Sequence, residues 1–547
     1  MRKSISILLA CLAVMACFSA PAFAAEPQAA YITYEDYGAV GDGVTDDFGA
    51  VIAAHNAANA QGLPVRANGN ATYYIGGGPG TAVIKTDTGW GGAKFIIDDT
   101  NLADADVWRY VFQVASRHAA LPITTVSSLQ KGQANLGVTL PLACVVIVTD
   151  NTTRRFIRRG ANQNEGAAQT DVFLADQNGG IDPAVPLMWD YDTITAMTAY
   201  PMDEDTLTVS GGHFTTMANQ ASGKAYHERG IGVTRSNVEI AGVTHVIEGE
   251  GAAGSPYNGF VHARDCANLT VRGCRFSGHK AYMKEFDNTL MGRISGLYTK
   301  RGTYDIRLGR VANAAFVDCK QVNSILDRSL WGIMCSDFSK NLSFEGCELS
   351  RVDAHMGAYN VEIRNSTLGH AGISVTGFGT LLVENSTVQS SAIVDLRHDY
   401  GSFWDGEFVI KGCVFVPFAG HGGSLIDKLG GWLRGAALVS SVNDGQWDFG
   451  YPCRMPRQIT IEGLVIDDKK HPPLYFGPRV FDHLSYTFGF KKELYPYAKT
   501  KAVTIKDLSV KSCRPLLKNK FWSLWLLRET KIIAVLDGSS DISFAGG

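Results

Sequence analysis

The chain has 547 residues, 45% of them apolar, eleven cysteines and a formal charge of −3 at neutral pH. A mildly acidic balance argues against nucleic acid as a partner and leaves a polyanionic ligand open only where basic residues cluster. No run beyond the first 24 residues is long and apolar enough to cross a bilayer.

The chain starts Met1-Arg2-Lys3, continues with the apolar run Ile5 to Phe18, and reaches Ala22-Phe23-Ala24. A basic start, an apolar core and an Ala-x-Ala site describe a secretory signal peptide over residues 1–24. The mature chain, 25–547, is expected to be secreted or periplasmic. A lipoprotein signal, with Val14-Met15-Ala16 before Cys17, is the second reading. Removing residues 1–24 leaves a charge of −5 and nine cysteines. An odd number implies at least one free thiol.

The Ala-rich segment Phe48 to Gln61, ended by Gly62, has the pattern of a helix. Such a helix can cover the open end of a strand stack, which otherwise exposes unpaired edges. Around residues 100–200, "VVIVTD", "RRFIRR" and "TDVFLAD" have strand patterns, with a polar Gly/Asn-rich stretch at 160–180. These residues form a β-rich insertion or irregular coils.

From residue 207 a pattern recurs ten times: apolar, any, apolar, two more residues, then a small or apolar anchor. The copies are Leu207-Val209-Gly212, Val238-Ile240-Val243, Leu269-Val271-Cys274, Ala314-Phe316-Cys319, Leu342-Phe344-Cys347, Val361-Ile363-Ser366, Leu381-Val383-Ser386, Phe408-Ile410-Cys413, Ile459-Ile461-Leu464 and Val503-Ile505-Leu508. Period-two alternation marks strands. Gly or Asn often precedes the third anchor, where a left-handed corner residue is tolerated. From Cys319 to Cys413 successive third anchors lie 28, 19, 20 and 27 residues apart. Repeats of this length suit the coils of a parallel β-helix, with loops thrown out at the longer spacings. Cys274, Cys319, Cys347, Ser366, Ser386 and Cys413 then stack as small residues inside one corner. They lack the Cys-x-x-Cys spacing of zinc sites, and no disulfide framework is expected. Residues 418–457 interrupt the pattern and are expected to be a long loop, and the end of the chain a strand-rich cap.

The segments "DYGAVGDGVTDDFGAVIAAHNAA" and "LPVRANGNATYYI" resemble the N-terminal start of the pectate-lyase-like superfamily. The resemblance is close over residues 31–76 and loose to about residue 515. It implies an all-β fold, a single right-handed parallel β-helix with an N-terminal capping helix and long loops, and action on a polysaccharide. That superfamily includes hydrolases, lyases, epimerases and phage tailspikes. Gly369-His370-Ala371-Gly372-Ile373-Ser374-Val375 is similar to the Gly-His-Gly strand entry of the polygalacturonases. That likeness implies an acidic turn before it, here Asp353, and a basic turn after it, here Arg397. Asp327 falls where that family has Asn-Thr-Asp. The chain has one Asp at 353 instead of a pair, no Asn-Thr-Asp at 327 and no Arg-x-Lys at 397. The likeness therefore bears on the position of a groove more than on its reaction.

Four consecutive turns concentrate reactive side chains: Asp327 and Arg328; Arg351, Asp353 and His355; His370; Asp395, Arg397, His398 and Asp399. Glycoside hydrolysis needs one carboxyl to protonate the leaving oxygen and a second to activate water or attack carbon. Neighbouring carboxylates raise one pKa, as an acid working at neutral pH requires. The first assignment makes Asp353 the general acid and Asp399 the second carboxylate. Asp327 and Asp395 are the other candidates, and His355 and His370 position them. Arg397 binds a substrate hydroxyl or carboxylate, joined by Arg328, His398 and Tyr400. Trp331 and Trp404 offer flat faces to a pyranose ring. The alternative is a uronate lyase with a base among Arg397, His398, Tyr400 and His355. That reaction can call for calcium held by acids from separate turns, although no compact calcium motif occurs. Otherwise no metal or cofactor is expected. A third reading is a non-catalytic, tail-fibre-like glycan binder. Sugar, linkage and oligomeric state stay open.

Overall fold

The computed structural model describes residues 30–102, 108–160, 163–220, 226–250, 256–277, 281–283, 300–302, 304–327, 334–417, 436–467, 478–484, 492–511, 533–535 and 543–544. The expected signal peptide with Cys17, the site candidates Arg328 and Trp331, and most of 512–547 lie outside the described residues.

Among the described residues the architecture is all-β and dominated by parallel pairing, with one α-helix, Phe48–Gln61. The ten repeat segments stack as parallel neighbours in the register set by their anchors. Their first anchors form one column, from Leu207 through Val238, Leu269, Ala314, Leu342, Val361, Leu381, Phe408 and Ile459 to Val503. The second anchors form a parallel column from Val209 to Ile505, and all twenty residues are buried. Each such side chain contributes roughly 1.5–3 kcal/mol on burial, but only when the next coil covers it.

Two corners bend each coil. The residue before the third anchor is left-handed in all ten, including the non-glycines Asp318, Asn365, Asn385 and Asp507. At the other corner Asn237, Asn268, Asn313, Asn341 and Asn360 are left-handed too, with φ of 53–58°. Their side-chain amides form a ladder, each donating to the preceding Oδ1 at 2.8, 3.0, 2.9 and 3.2 Å. Inside, the Cys/Ser column is continuous: Cys347 N–H donates to Ser366 Oγ (3.0 Å) and Ser366 N–H to Ser386 Oγ (3.1 Å). The seven described cysteines of known burial are all buried free thiols.

The helix ends at Gly62, whose φ is 68°, and buries Phe48, Val51, Ala54, His55 and Ala58. Asn59 clamps it to the strand Ala82–Ile84, donating to Val83 O (2.7 Å) and accepting from Lys85 N–H (2.9 Å). A separate four-stranded sheet is built of Leu121–Pro122, Ala196–Pro201, Cys144–Arg155 and Ala167–Ala175. All its pairings are antiparallel. It packs Val145, Ile147 and Val172 on Ala267 and Ala312 of the coils. The buried pair Lys340 Nζ–Asp171 Oδ1 (2.6 Å) pins it there. Within 418–457, expected to be a loop, Ala436–Val442 is instead a parallel strand between Ala392–Leu396 and Pro478–Leu484. Alternation in Ala-Ala-Leu-Val-Ser-Ser-Val carries it, although the segment lacks the anchor spacing of the repeats.

Candidate active site

Strand alternation decides which side chains can meet a ligand. Val352 and Ala354, Ile373 and Val375, Val394 and Leu396 enter the core, which turns Asp353, Ser374 and Asp395 to the other face. Asp353 pairs in register with Ser374, Ser374 with Asp395, and Asp395 with Ser440. Asp353 and Asp395 therefore stand two rungs apart, roughly 10 Å between backbones, with a small serine between them.

After Leu396 the chain turns through His398–Tyr400 and closes on Gly401, whose φ of 81° favours glycine. This turn sets Arg397 and Asp399 beside Asp395. Arg397 is the hub: Nη1 donates to Asp353 Oδ1 (3.2 Å) and Nη2 to Asp399 Oδ2 (2.8 Å). Asp353 also meets Arg351 Nη2 (2.8 Å) and His355 Nδ1 (3.3 Å). Asp399 meets Arg158 Nη2 at 2.7 Å. Arg158 follows the strand Cys144–Arg155, so the antiparallel sheet delivers a residue to the cluster. Its neighbour Arg159 donates its backbone N–H to Asp399 O (2.9 Å) and pairs with Asp444 (2.7 Å). The guanidinium carbons of Arg158 and Arg397 each lie 5.5 Å from the Tyr400 ring centre. His355 meets that ring at 5.7 Å between centres and 66° between planes.

The surroundings split the three carboxyls. Burial would raise Asp353, but Arg351, Arg397 and His355 hold it well below the usual carboxylate range. Burial opposes ionisation of Asp399 too, yet Arg397 and Arg158 bring it down to about 2. Asp395 goes the other way. Burial raises it, with the Asp399 charge adding to the rise, against the pull of His398 and Arg397 and a hydrogen bond with Ser440. Burial would lower Arg397, but Asp399 and Asp353 keep it well above the ordinary arginine value. Burial pushes the Tyr400 hydroxyl up.

Several expectations need correcting. Asp353, expected to be the proton donor, is completely buried and held ionised by two guanidiniums. Arg397, expected to grip the substrate, already spends both terminal nitrogens on Asp353 and Asp399. Trp404, expected to be a sugar platform, has no exposed surface; its Nε1–H donates to Gly379 O (2.9 Å) and its ring packs on Phe408. Tyr400 is buried beneath the arginines. His398 is exposed. His370 sits one coil from Asp353, its backbone N–H donating to Ile325 O (3.0 Å). Asp327 closes a turn with Ser324 and borders the undescribed segment 328–333. Arg158 was not singled out by sequence reasoning; "RRFIRR" was the available signal.

The residues do not fit a calcium ion. The carboxylates of Asp353 and Asp399 already face three guanidiniums, which would repel a second cation. Among the described residues no group of three or more His, Cys, Asp and Glu is placed to hold a metal, and no helix is long and apolar enough to cross a membrane.

No family model matches the chain. A capsule KL64-specific depolymerase of Klebsiella phage P510 is 27% identical over 155 residues, which span 24% of this chain and 14% of that protein. The chain thus matches only a small part of that relative's length. Among solved structures, the tailspike protein gp49 of Pseudomonas phage LKA1 gives a TM-score of 0.49 at 13% identity, covering 88% of this chain and 82% of that one. The Gp54 tailspike of Acinetobacter baumannii bacteriophage AP22, solved with A. baumannii capsular saccharide, gives 0.46 at 10% identity, covering 88% and 76%.

Proposed function

We propose that the chain is an exported, single right-handed parallel β-helix, residues 25–547, with the helix Phe48–Gln61 as its N-terminal cap, and that it hydrolyses glycosidic bonds of an extracellular polysaccharide. The observation that carries the reading is the meeting, around Arg397, of carboxyls in unlike environments: Asp395 raised, and Asp399 held at about 2. Two carboxyls driven apart in this way are the acid and base that glycoside hydrolysis needs. Asp395 donates the proton to the leaving oxygen. Asp399, ionised, activates water or attacks the sugar carbon. Asp353 and Arg351 orient Arg397, which stabilises Asp399. His355 and His370 position the groove, and exposed His398, with Arg328 and Trp331, contacts the sugar. The match to a capsule depolymerase supports a bacterial capsular polysaccharide as the substrate class.

An eliminating lyase fits less well. Arg397 is held protonated by two carboxylates, and the Tyr400 phenol is held neutral by burial. Neither is poised to remove a proton from carbon. The test is digestion of a panel of capsular, plant and algal polysaccharides by the mature protein, following reducing ends together with the ultraviolet absorbance of unsaturated uronates. Reducing ends without absorbance support hydrolysis. Both signals together mean elimination, and neither leaves a glycan binder.

A further inference from the structure

The antiparallel sheet ends in register where it meets the coils. Cys144 pairs with Ala175 on one side and with Pro201 on the other. The residues just beyond that rung therefore emerge side by side: Leu142 and Ala143, the turn 176–178, and the segment 202–204. Asp203 O accepts from Asn237 Nδ2 (2.5 Å), which ties them to the first Asn of the corner ladder. Together they line an open cleft of about 500 Å³, a size within the roughly 300–1,000 Å³ of small-molecule sites. The cleft lies four coils from the coil of Asp353, roughly 19 Å along the stack at about 4.8 Å per coil.

The cleft has an apolar wall and a polar rim. Leu142 and Met202 are half-buried, whereas Asp176, Gln177, Asn178 and Glu204 are exposed. Asp176 fixes the rim, its Oδ1 accepting from the N–H groups of Asn178 and Gly180 (both 2.8 Å). The side chains of Asn178 and Glu204 make no hydrogen bond or ion pair with a described residue. Asp203, 1% exposed, forms the floor. Its Oδ1 faces buried Arg235 Nη1 (2.9 Å) and accepts from Arg117 N–H (3.3 Å), while Oδ2 is buried without a partner. A buried acceptor left empty costs free energy that a donor would recover. The nearby guanidiniums are engaged elsewhere, Arg235 also with Asp205 (3.1 Å) and Arg117 with Asp205 (3.2 Å). Among the described residues no basic side chain lines the cleft.

We propose that this cleft is a second, non-catalytic site that binds a neutral, hydroxyl-bearing sugar unit. Carboxylates accept from neighbouring hydroxyls, and side-chain amides both donate and accept. Asp176, Asn178 and Glu204 supply these groups at the rim, and a hydroxyl donor at the floor satisfies Asp203 Oδ2. Leu142 and Met202 meet the C–H face of the ring. Asp176 and Glu204 bring negative charge with no cation in the lining, so a uronate is repelled. The acids do not form a cation cage: among the described residues no three His, Cys, Asp or Glu converge on a metal position. Set apart from Asp353, the site holds a chain while cleavage proceeds elsewhere. The inference rests on the proposed function only in taking the ligand to be a saccharide.

The test is saturation-transfer NMR on the full chain with methyl glycosides of glucose, galactose and mannose, against sodium glucuronate and sodium galacturonate at matched ionic strength. Transfer is expected to at least one neutral glycoside and not to the uronates. The double variant Asn178→Ala with Glu204→Ala, at exposed positions, weakens binding roughly tenfold, as loss of two hydrogen bonds does. Ala143→Phe, also at an exposed position, fills the cleft and removes the transfer while keeping the backbone bond from Met202 N–H to residue 143 O. Asp395→Asn leaves the transfer unchanged, so failure of the hydrolytic assignment and failure of this one are told apart. No transfer to any neutral glycoside, equal transfer to the uronates, or transfer that survives both cleft variants overturns the proposal.

Discussion

Arg158 reaches the cluster from outside the coils, and its removal tests how Asp399 is kept ionised. Asp399 lies at about 2 against an ordinary 3.8. At 1.36 kcal/mol per unit that gap amounts to about 2 kcal/mol. Arg397 contributes the larger part and Arg158 the next, both working against burial. Because burial opposes both arginines, their lowering together exceeds that net gap; Arg158→Met keeps the stem's packing, takes away the smaller share, on the order of 1 kcal/mol, and lets the carboxyl rise. Since the folded value lies below the unfolded one, this stabilisation is complete above about pH 4 and fades as pH falls through about 2. In the variant the fading begins at the same pH, set by the unfolded carboxyl, and is complete at a higher pH. Urea unfolding at pH 7 should show a loss of about 1 kcal/mol that narrows in strong acid. The acid limb of kcat/KM should move up if ionised Asp399 is the base. An acid limb that stays in place in a variant showing the stability loss would refute Asp399 as the base.

Asp395→Asn should fold with unchanged or higher stability, since a buried carboxyl is replaced by a neutral amide, while activity falls by roughly 10²–10⁴. Asp353→Asn should instead destabilise the fold, because Arg351 and Arg397 lose a buried counter-charge, which costs on the order of 3–5 kcal/mol; a thermal melt separates the two variants. Trp404→Ala should lower stability by about 3–5 kcal/mol without changing KM in the fraction that folds, as expected of a core side chain. Lys340→Met should destabilise the contact between the antiparallel sheet and the coils, and the double variant with Asp171→Leu should recover most of the loss, because breaking a buried pair costs more than replacing it.

The coil column was legible because alternation and corner residues recur together. In each copy an apolar pair is followed by a residue that accepts left-handed φ, and the strands pair on those positions. The Asn ladder carried the same information one place before the first anchor, at Asn237, Asn268, Asn313, Asn341 and Asn360, yet a single Asn in a turn is commonplace. The turns holding Asp353, Arg397 and Asp399 were also found from composition, since four charged turns in succession had to stack. Their protonation was not legible. It depends on Arg351 and on Arg158, about 240 residues from Asp399 in sequence, and on which face of each strand is buried. Trp404 shows the same limit. A tryptophan flanked by polar residues looks exposed, but its coil neighbour Gly377 and the Gly379 carbonyl draw the indole inward.

The most direct test of the hydrolytic assignment is digestion of the substrate found by the panel in ¹⁸O-labelled water, with mass analysis of the products before anomeric exchange. Hydrolysis at Asp395 and Asp399 predicts one solvent oxygen at each newly formed reducing end and none at the new non-reducing end in the wild-type protein, and a loss of products of roughly 10²–10⁴ in Asp395→Asn. Unlabelled products carrying an unsaturated sugar, or full activity in Asp395→Asn, would contradict it.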